Sequence, residues 1–209
     1  MIKLSVKRYN YLEGIKKLSY RNPRSVNLTP LWVLIAANVL IFIATTIRPE
    51  AIDSLGVARA TISTQPWTIV SAMFTHANIF HILFNMLSLY FFGMYVLALV
   101  GEARFFLVYF VGGLVGNGLY LLLSSQYAAP AVGASGAIFA LGGLLVVLAP
   151  RLKVMIFPIP VGIDLWIAII ILALISLSPG VAWQAHAGGL ITGLAAGYIL
   201  KLRTRRRRY

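Results

Sequence analysis

Between residues 29 and 200 the chain alternates long apolar runs free of charged residues with short breaks rich in proline, glycine, serine or charge. About 20 apolar residues, each rising about 1.5 Å along a helix, cross the hydrocarbon core of a bilayer, so such runs can be counted as spans. Residues 31–47, preceded by Pro30, form the first. The uncharged stretch 60–101 is too long for one span; "STQPW" near its start reads as loop and leaves a second span near 78–100. The stretch 105–150 is broken by "SSQYAAP", which predicts a third span near 105–123 and a fourth near 132–149. In the last stretch "SLSPG" separates a fifth span near 161–177 from a sixth near 183–200. The pattern predicts an all-α membrane protein of six transmembrane helices. Its segments share no recognisable repeat, which argues against an inverted-repeat transporter.

Composition agrees: of 209 residues 60% are hydrophobic and only 11% charged, and mean hydropathy is +0.87, far from the soluble average. Charge orients the spans. Residues 1–29 carry seven Lys/Arg and one Glu, and residues 201–209 carry six Lys/Arg, so the two ends hold +12 of the formal +13. Basic flanks stay on the cytoplasmic side, which puts both ends inside and requires an even number of spans. The organisation expected is a basic cytoplasmic segment at 1–29, a transmembrane domain at 30–200 and a basic tail at 201–209. The run "RTRRRRY" reads as a topology anchor that meets anionic lipid, at roughly 1 kcal/mol per basic residue near the surface, rather than as a nucleic-acid site. Residues 1–29 contain no hydrophobic segment of the kind a cleavable signal needs. The lack of cysteine excludes disulfides, thiolate catalysis and Cys-bound metal, and no cofactor is called for.

The polar residues inside the apolar runs carry the chemistry. The three histidines, His76, His81 and His186, all fall in or at the ends of predicted spans, where an ionisable group is costly and points to function; a histidine satisfied within the core is the plain alternative for any one of them. "HILFN" places His81 and Asn85 four residues apart on one helix face, near the outer end of the second span. "AHAGGLITGLAAG" places His186 in the first turns of the sixth, and Ser135 of "AVGASGAIFALGG" opens the fourth. Three even-numbered spans thus bring four polar groups to a similar depth. Acyl-transfer chemistry needs a nucleophile, a base and donors for the developing oxyanion. Ser135 and His186 supply the first two; His81, Asn85 and the Ser135 backbone N–H suit the third. Glu13, Glu102 and Asp164 fall at the inner side, and Glu50 and Asp53 in the outer loop, so the reading is a Ser/His dyad without a carboxylate. Gly189, Gly193 and Gly197 recur every four residues, a small-residue stripe that would bring the sixth helix onto the fourth near Gly136 and carry His186 to Ser135. Gly112 and Gly116 form a similar pair, read as helix packing.

In the motifs "HANIFHILFN", "GASGA" and "AHAGGLITG", on the second, fourth and sixth spans in that order, the chain resembles the rhomboid family of intramembrane serine proteases over about residues 28–200. The resemblance implies a rhomboid-like bundle with Ser135 as nucleophile, His186 as its base, and His81 and Asn85 with the Ser135 backbone as oxyanion donors. It implies supporting roles for Gly133 and for Phe139, where an aromatic ring packs on the catalytic histidine and many members carry Tyr. His76 matches an additional histidine of some members, structural or water-positioning rather than catalytic. The implied activity is cleavage of other proteins' transmembrane helices near the outer leaflet of the cell membrane, with membrane proteins as substrates. The competing class is an inactive relative that holds membrane clients uncut. Two departures stand out. Trp67-Thr68 replaces a Trp-Arg common in the outer loop, and Leu97 replaces a Glu near the inner end of the second span, which would remove inter-helix hydrogen bonds.

Overall fold

The computed structural model describes residues 26–154 and 162–206. Most of the basic segment 1–29, the start of the predicted fifth span at residue 161, and the tail from 207 lie outside the described residues. The elements run in the order α1 (Thr29–Ile47), α2 (Ala51–Leu55), α3 (Thr68–Ser71), a single 3-10 turn (Ala72–Phe74), α4 (Ile79–Val100), α5 (Glu102–Leu123), α6 (Ser135–Leu148), β1 (Lys153–Val154), β2 (Ile163–Asp164), α7 (Leu165–Ile175) and α8 (Trp183–Arg206). The protein is mostly helical. Among the described residues α1, α4 and α5 are long and apolar enough to cross a membrane, while α6 and α7 are shorter apolar helices of 14 and 11 residues.

Four boundaries differ from those the hydrophobic pattern predicts, each for a local reason. The fourth helix starts at Ser135 rather than near residue 132, because the preceding chain is drawn into other bonds. Ala131 pairs with Val57 in an antiparallel bridge, and the Gly133 N–H donates to the Ala72 carbonyl at 2.8 Å with φ at +127°, a value open to glycine. The third helix starts at Glu102 rather than Phe105, since Gly101, at φ +80°, turns the chain directly from α4 into α5. The fifth is confined to Leu165–Ile175, because Ile163 and Asp164 pair with Val154 and Lys153 in a two-stranded ribbon. The sixth runs past 200 to Arg206, as lysine and arginine are good helix formers. The stretch around "STQPW" is also more ordered than a plain loop. It leads into α3 and the 3-10 turn, and is held by Ser71 Oγ donating to the Leu55 carbonyl at 2.8 Å and Asn117 Nδ2 donating to the Ile69 carbonyl at 2.8 Å.

Helix α6 is the centre of the bundle: every residue from Gly136 to Leu145 is buried. It packs most extensively on α8 and α5, with α4 and α7 on its other sides, and α1 leans on α4. Backbones meet where side chains are smallest. A methyl group at Gly189 would collide with the Gly136 carbonyl, one at Gly193 with the backbone of Ala140, and one at Gly197 would lie 2.8 Å from Val147. Gly116 faces the Ala185 carbonyl in the same way, and Gly112 faces Ala140. Leu97, at the position of the expected Glu, is buried in the same apolar core as Leu31, Phe105 and Leu145, so an apolar side chain stands where the resemblance implies a hydrogen-bonding one. Thr68 is buried and its hydroxyl donates to the Gln65 carbonyl at 2.6 Å, closing a local turn, while Trp67 Nε1 donates to the Ser54 carbonyl at 2.9 Å and ties the start of α3 back to α2.

Gly193→Val should lower stability by about 3 kcal/mol, the upper end of overpacking costs, because its Cβ meets main chain that cannot swing aside. Gly118→Ala should instead raise stability by about 0.5–1 kcal/mol, since nothing lies within 4 Å of the added carbon and alanine is the better helix former. Thermal unfolding in detergent reads both; equal effects of the two would contradict this packing.

Candidate active site

Ser135 is the first residue of α6, so its N–H belongs to the opening turn, whose N–H groups find no acceptor within their own helix. Three residues before Gly189 on α8, His186 is carried toward Ser135 by the glycine contact described above. Its Nε2 lies 2.7 Å from Ser135 Oγ. The ring is sandwiched on one side by Phe139, one helical turn along α6 from Ser135, with centroids 4.6 Å apart and planes 19° from parallel. Gly136 faces the Ala185 carbonyl, next to His186, at 3.2 Å from where its Cβ would stand, and Gly189 faces Gly136. Both glycines therefore sit at the contact that sets the Ser135–His186 distance.

The second helix face arrives from α4. Asn78 caps that helix, its side-chain oxygen accepting from the His81 N–H at 2.9 Å, which places His81 in the first turn. The His81 ring borders the same small space as Ser135 Oγ. A Cβ built on Gly133 would lie 2.8 Å from His81 Nε2 and 3.4 Å from Ser135 Oγ, so only a residue without a side chain leaves that space open. Asn85 lies one turn further along and is buried; its Nδ2 donates to the His81 carbonyl at 2.8 Å, using one of its two amide hydrogens. His76, fully buried before α4, stands edge-on to His81 with ring centroids 5.0 Å apart, and its ring nitrogens form no hydrogen bond among the described residues, so none reaches Ser135 or His186. Glu50 and Asp53 lie at α2, in the loop that precedes α3.

One partner escapes the sequence reading. His186 Nδ1 lies 2.6 Å from the hydroxyl of Ser176, the residue that ends α7. Ser176 is buried and its hydroxyl also donates to the Leu172 carbonyl at 2.7 Å. The outer partner of a triad histidine is ordinarily a carboxylate, and a serine inside the break "SLSPG" carries no such mark. Its only signal is position: it ends the apolar run ten residues before His186.

Fold and site together define a helical membrane protein that encloses a serine–histidine pair at the start of its central helix. The Rhomboid domain model matches residues 63–203, and the chain belongs to the rhomboid family. It is 36% identical over 150 residues to RHOMBOID-like protein 2 of Arabidopsis thaliana, covering 66% of this chain and 44% of that one. It is 28% identical over 152 residues to Rhomboid protein 1, mitochondrial, of Saccharomyces cerevisiae, covering 64% and 41%, and 34% identical over 142 residues to Rhomboid protease GluP of Bacillus subtilis, covering 65% and 26%. The chain spans less than half the length of the curated relatives it matches.

Gly133→Ala should cost about 1–3 kcal/mol of stability, because alanine at φ +127° is strained and its methyl displaces the His81 ring. Gly180→Ala, also at positive φ but with open space around it, should cost stability without moving that ring. Unfolding measurements paired with ring resonances of His81 separate the two; an unmoved His81 in Gly133→Ala would refute the crowding.

Proposed function

We propose that this protein is an intramembrane serine endopeptidase that hydrolyses peptide bonds in or near transmembrane helices of other membrane proteins, with Ser135 as nucleophile and His186 as general base. The observation that carries this reading is the 2.7 Å approach of His186 Nε2 to Ser135 Oγ at a helix start, beside His81. In this mechanism the Ser135 hydroxyl donates to His186 Nε2 and gives up its proton as the oxygen attacks the scissile carbonyl. The oxyanion is received by the Ser135 N–H, the His81 ring and the remaining amide hydrogen of Asn85. Imidazolium then protonates the departing amine, and water, activated by the same imidazole, releases the acyl group from Ser135. The reaction needs neither cofactor nor metal.

In our reading α1 and α4 to α8 are six transmembrane helices of a cell-membrane protein, with both ends cytoplasmic and the site toward the extracytoplasmic side. Charge supports this: Arg104 in the first turn of α5, Arg151 and Lys153 after α6, and Lys201 and Arg203 in the last turns of α8 share one side in that topology, while Arg48 and Arg59 on the other are balanced by Glu50 and Asp53. Helix α6 is about 21 Å long, short of the roughly 30 Å hydrocarbon core. Its missing depth is filled by residues 131–134, of which Ala131 and Ala134 are buried and Val132 and Gly133 half-buried, with the backbone bonded to Val57 and Ala72, the kind of support that lets irregular backbone be tolerated at depth. Ser135 thereby lies below the membrane surface. A substrate helix has to unwind locally before its carbonyl is free, so glycine or proline near the cut should lower the cost by roughly 1 and 3 kcal/mol relative to alanine. The basic tail meets anionic lipid.

Cleavage of a reporter transmembrane segment by purified protein in liposomes tests the reading. Ser135→Ala and His186→Ala should abolish cleavage, and His81→Ala should lower kcat by about 10²–10³, the cost of one oxyanion donor. A folded wild-type protein that retains reporter segments without cutting any of them would favour an inactive client-binding relative instead.

A further inference from the structure

We propose that Ser176 is a positioning residue that holds His186 in the tautomer required of a base; the inference rests on the proposed roles of Ser135 and His186. A serine hydroxyl has one proton and two lone pairs. That proton is committed to the Leu172 carbonyl, one turn back on α7, at 2.7 Å. The 2.6 Å contact to His186 Nδ1 then requires the hydrogen to come from the ring: Nδ1–H donates to Ser176 Oγ. A neutral imidazole protonated at Nδ1 carries its lone pair on Nε2, the atom 2.7 Å from Ser135 Oγ. The opposite tautomer would aim an N–H at Ser135 and oblige Ser176 to abandon the Leu172 carbonyl.

The surroundings make this hydrogen bond difficult to replace. Ser176 is 5% exposed and borders a cavity of about 310 Å³ whose wall is almost wholly apolar, formed by residues such as Ile170, Leu174, Trp183 and Leu190. Water competes poorly there for a freed Nδ1–H, and the bond is stronger for it. Phe139 fixes the plane of the ring from one face, but stacking leaves rotation within that plane and does not choose a tautomer; Ser176 supplies both. The outer partner of a triad histidine is ordinarily a carboxylate, and a serine hydroxyl meets the same requirement without bringing a charge into the bundle.

The experiment compares wild type, Ser176→Ala and Ser176→Thr in liposomes, with 15N spectra of the His186 ring recorded on the same proteins. Ser176→Ala should lower kcat by about 10- to 100-fold, the range found when a ligating histidine loses its outer partner, with KM unchanged, and should shift the ring population from Nδ1–H toward Nε2–H. Ser176→Thr keeps the hydroxyl, and its added methyl has room in the cavity, so it should restore kcat to within about threefold and the wild-type spectrum. An unchanged kcat and spectrum in Ser176→Ala, or equal impairment of the alanine and threonine variants, would overturn the proposal. Should wild type cut no reporter, the protease reading fails by itself. The spectra still decide: loss of Nδ1–H in Ser176→Ala upholds the positioning role, and its persistence refutes it.

Discussion

Helix α8 lies against α6 at backbone-to-backbone distance, and the rest of the structure depends on that contact. Among apolar helices in lipid there is no hydrophobic gain from pairing, so association rests on van der Waals contact and on the few polar groups that can be shared. Glycines at 189, 193 and 197 face the carbonyl-bearing surface of α6 at Gly136, Ala140 and Leu144. Each is a poor helix former by about 1 kcal/mol, and close packing offsets that cost. His186 stands one turn from the first glycine of the stripe and Ser135 next to its partner Gly136, so the contact that holds the two helices also sets the 2.7 Å between Nε2 and Oγ. A looser interface would leave the same residues present and the hydrogen bond unmade.

The second constraint is the entry into α6. Chain that is neither helix nor sheet must place its backbone polar groups somewhere, and here residues 131–133 place them on the long loop between α1 and α4: Ala131 exchanges bonds with Val57, and Gly133 donates to Ala72. Side chains pin that loop in turn, with Asn117 reaching the Ile69 carbonyl and Arg59 reaching the Ser124 carbonyl at 3.1 Å. The result is a fixed platform from which α6 starts at a defined level. The Ser135 hydroxyl and the His81 ring therefore border one space, kept open by the missing side chain of Gly133.

Polar groups in this bundle are few and short in reach, which shapes how the site is supported. Among the described residues no carboxylate bonds to His186; its two ring nitrogens meet two serine hydroxyls, one from α6 and one from the end of α7. Neutral partners avoid the penalty of an unpaired buried charge. They also make the arrangement sensitive to direction, because a hydroxyl with one proton can satisfy only one acceptor.

The sequence by itself determined which runs become helices, since uninterrupted apolarity and the breaks at proline, glycine and serine are local properties of the chain. It determined too that His81 and Asn85 share a face, because four residues make about one helical turn, and that small residues repeat along α8. It could not determine where α6 begins, since Val132 to Ala134 are as apolar as the helix that follows, and the helix is held off by the bonds of Ala131 to Val57 and of Gly133 to Ala72, more than 55 residues away, with Gly133 at positive φ. Nor could it reveal Ser176, an ordinary serine at a helix end until α7 and α8 meet. The replacement of an expected Glu by Leu97 likewise became intelligible only in the packed core. Local pattern decides what kind of element each segment forms; which atoms then come within hydrogen-bonding reach is decided by contacts between distant segments, on which local pattern is silent.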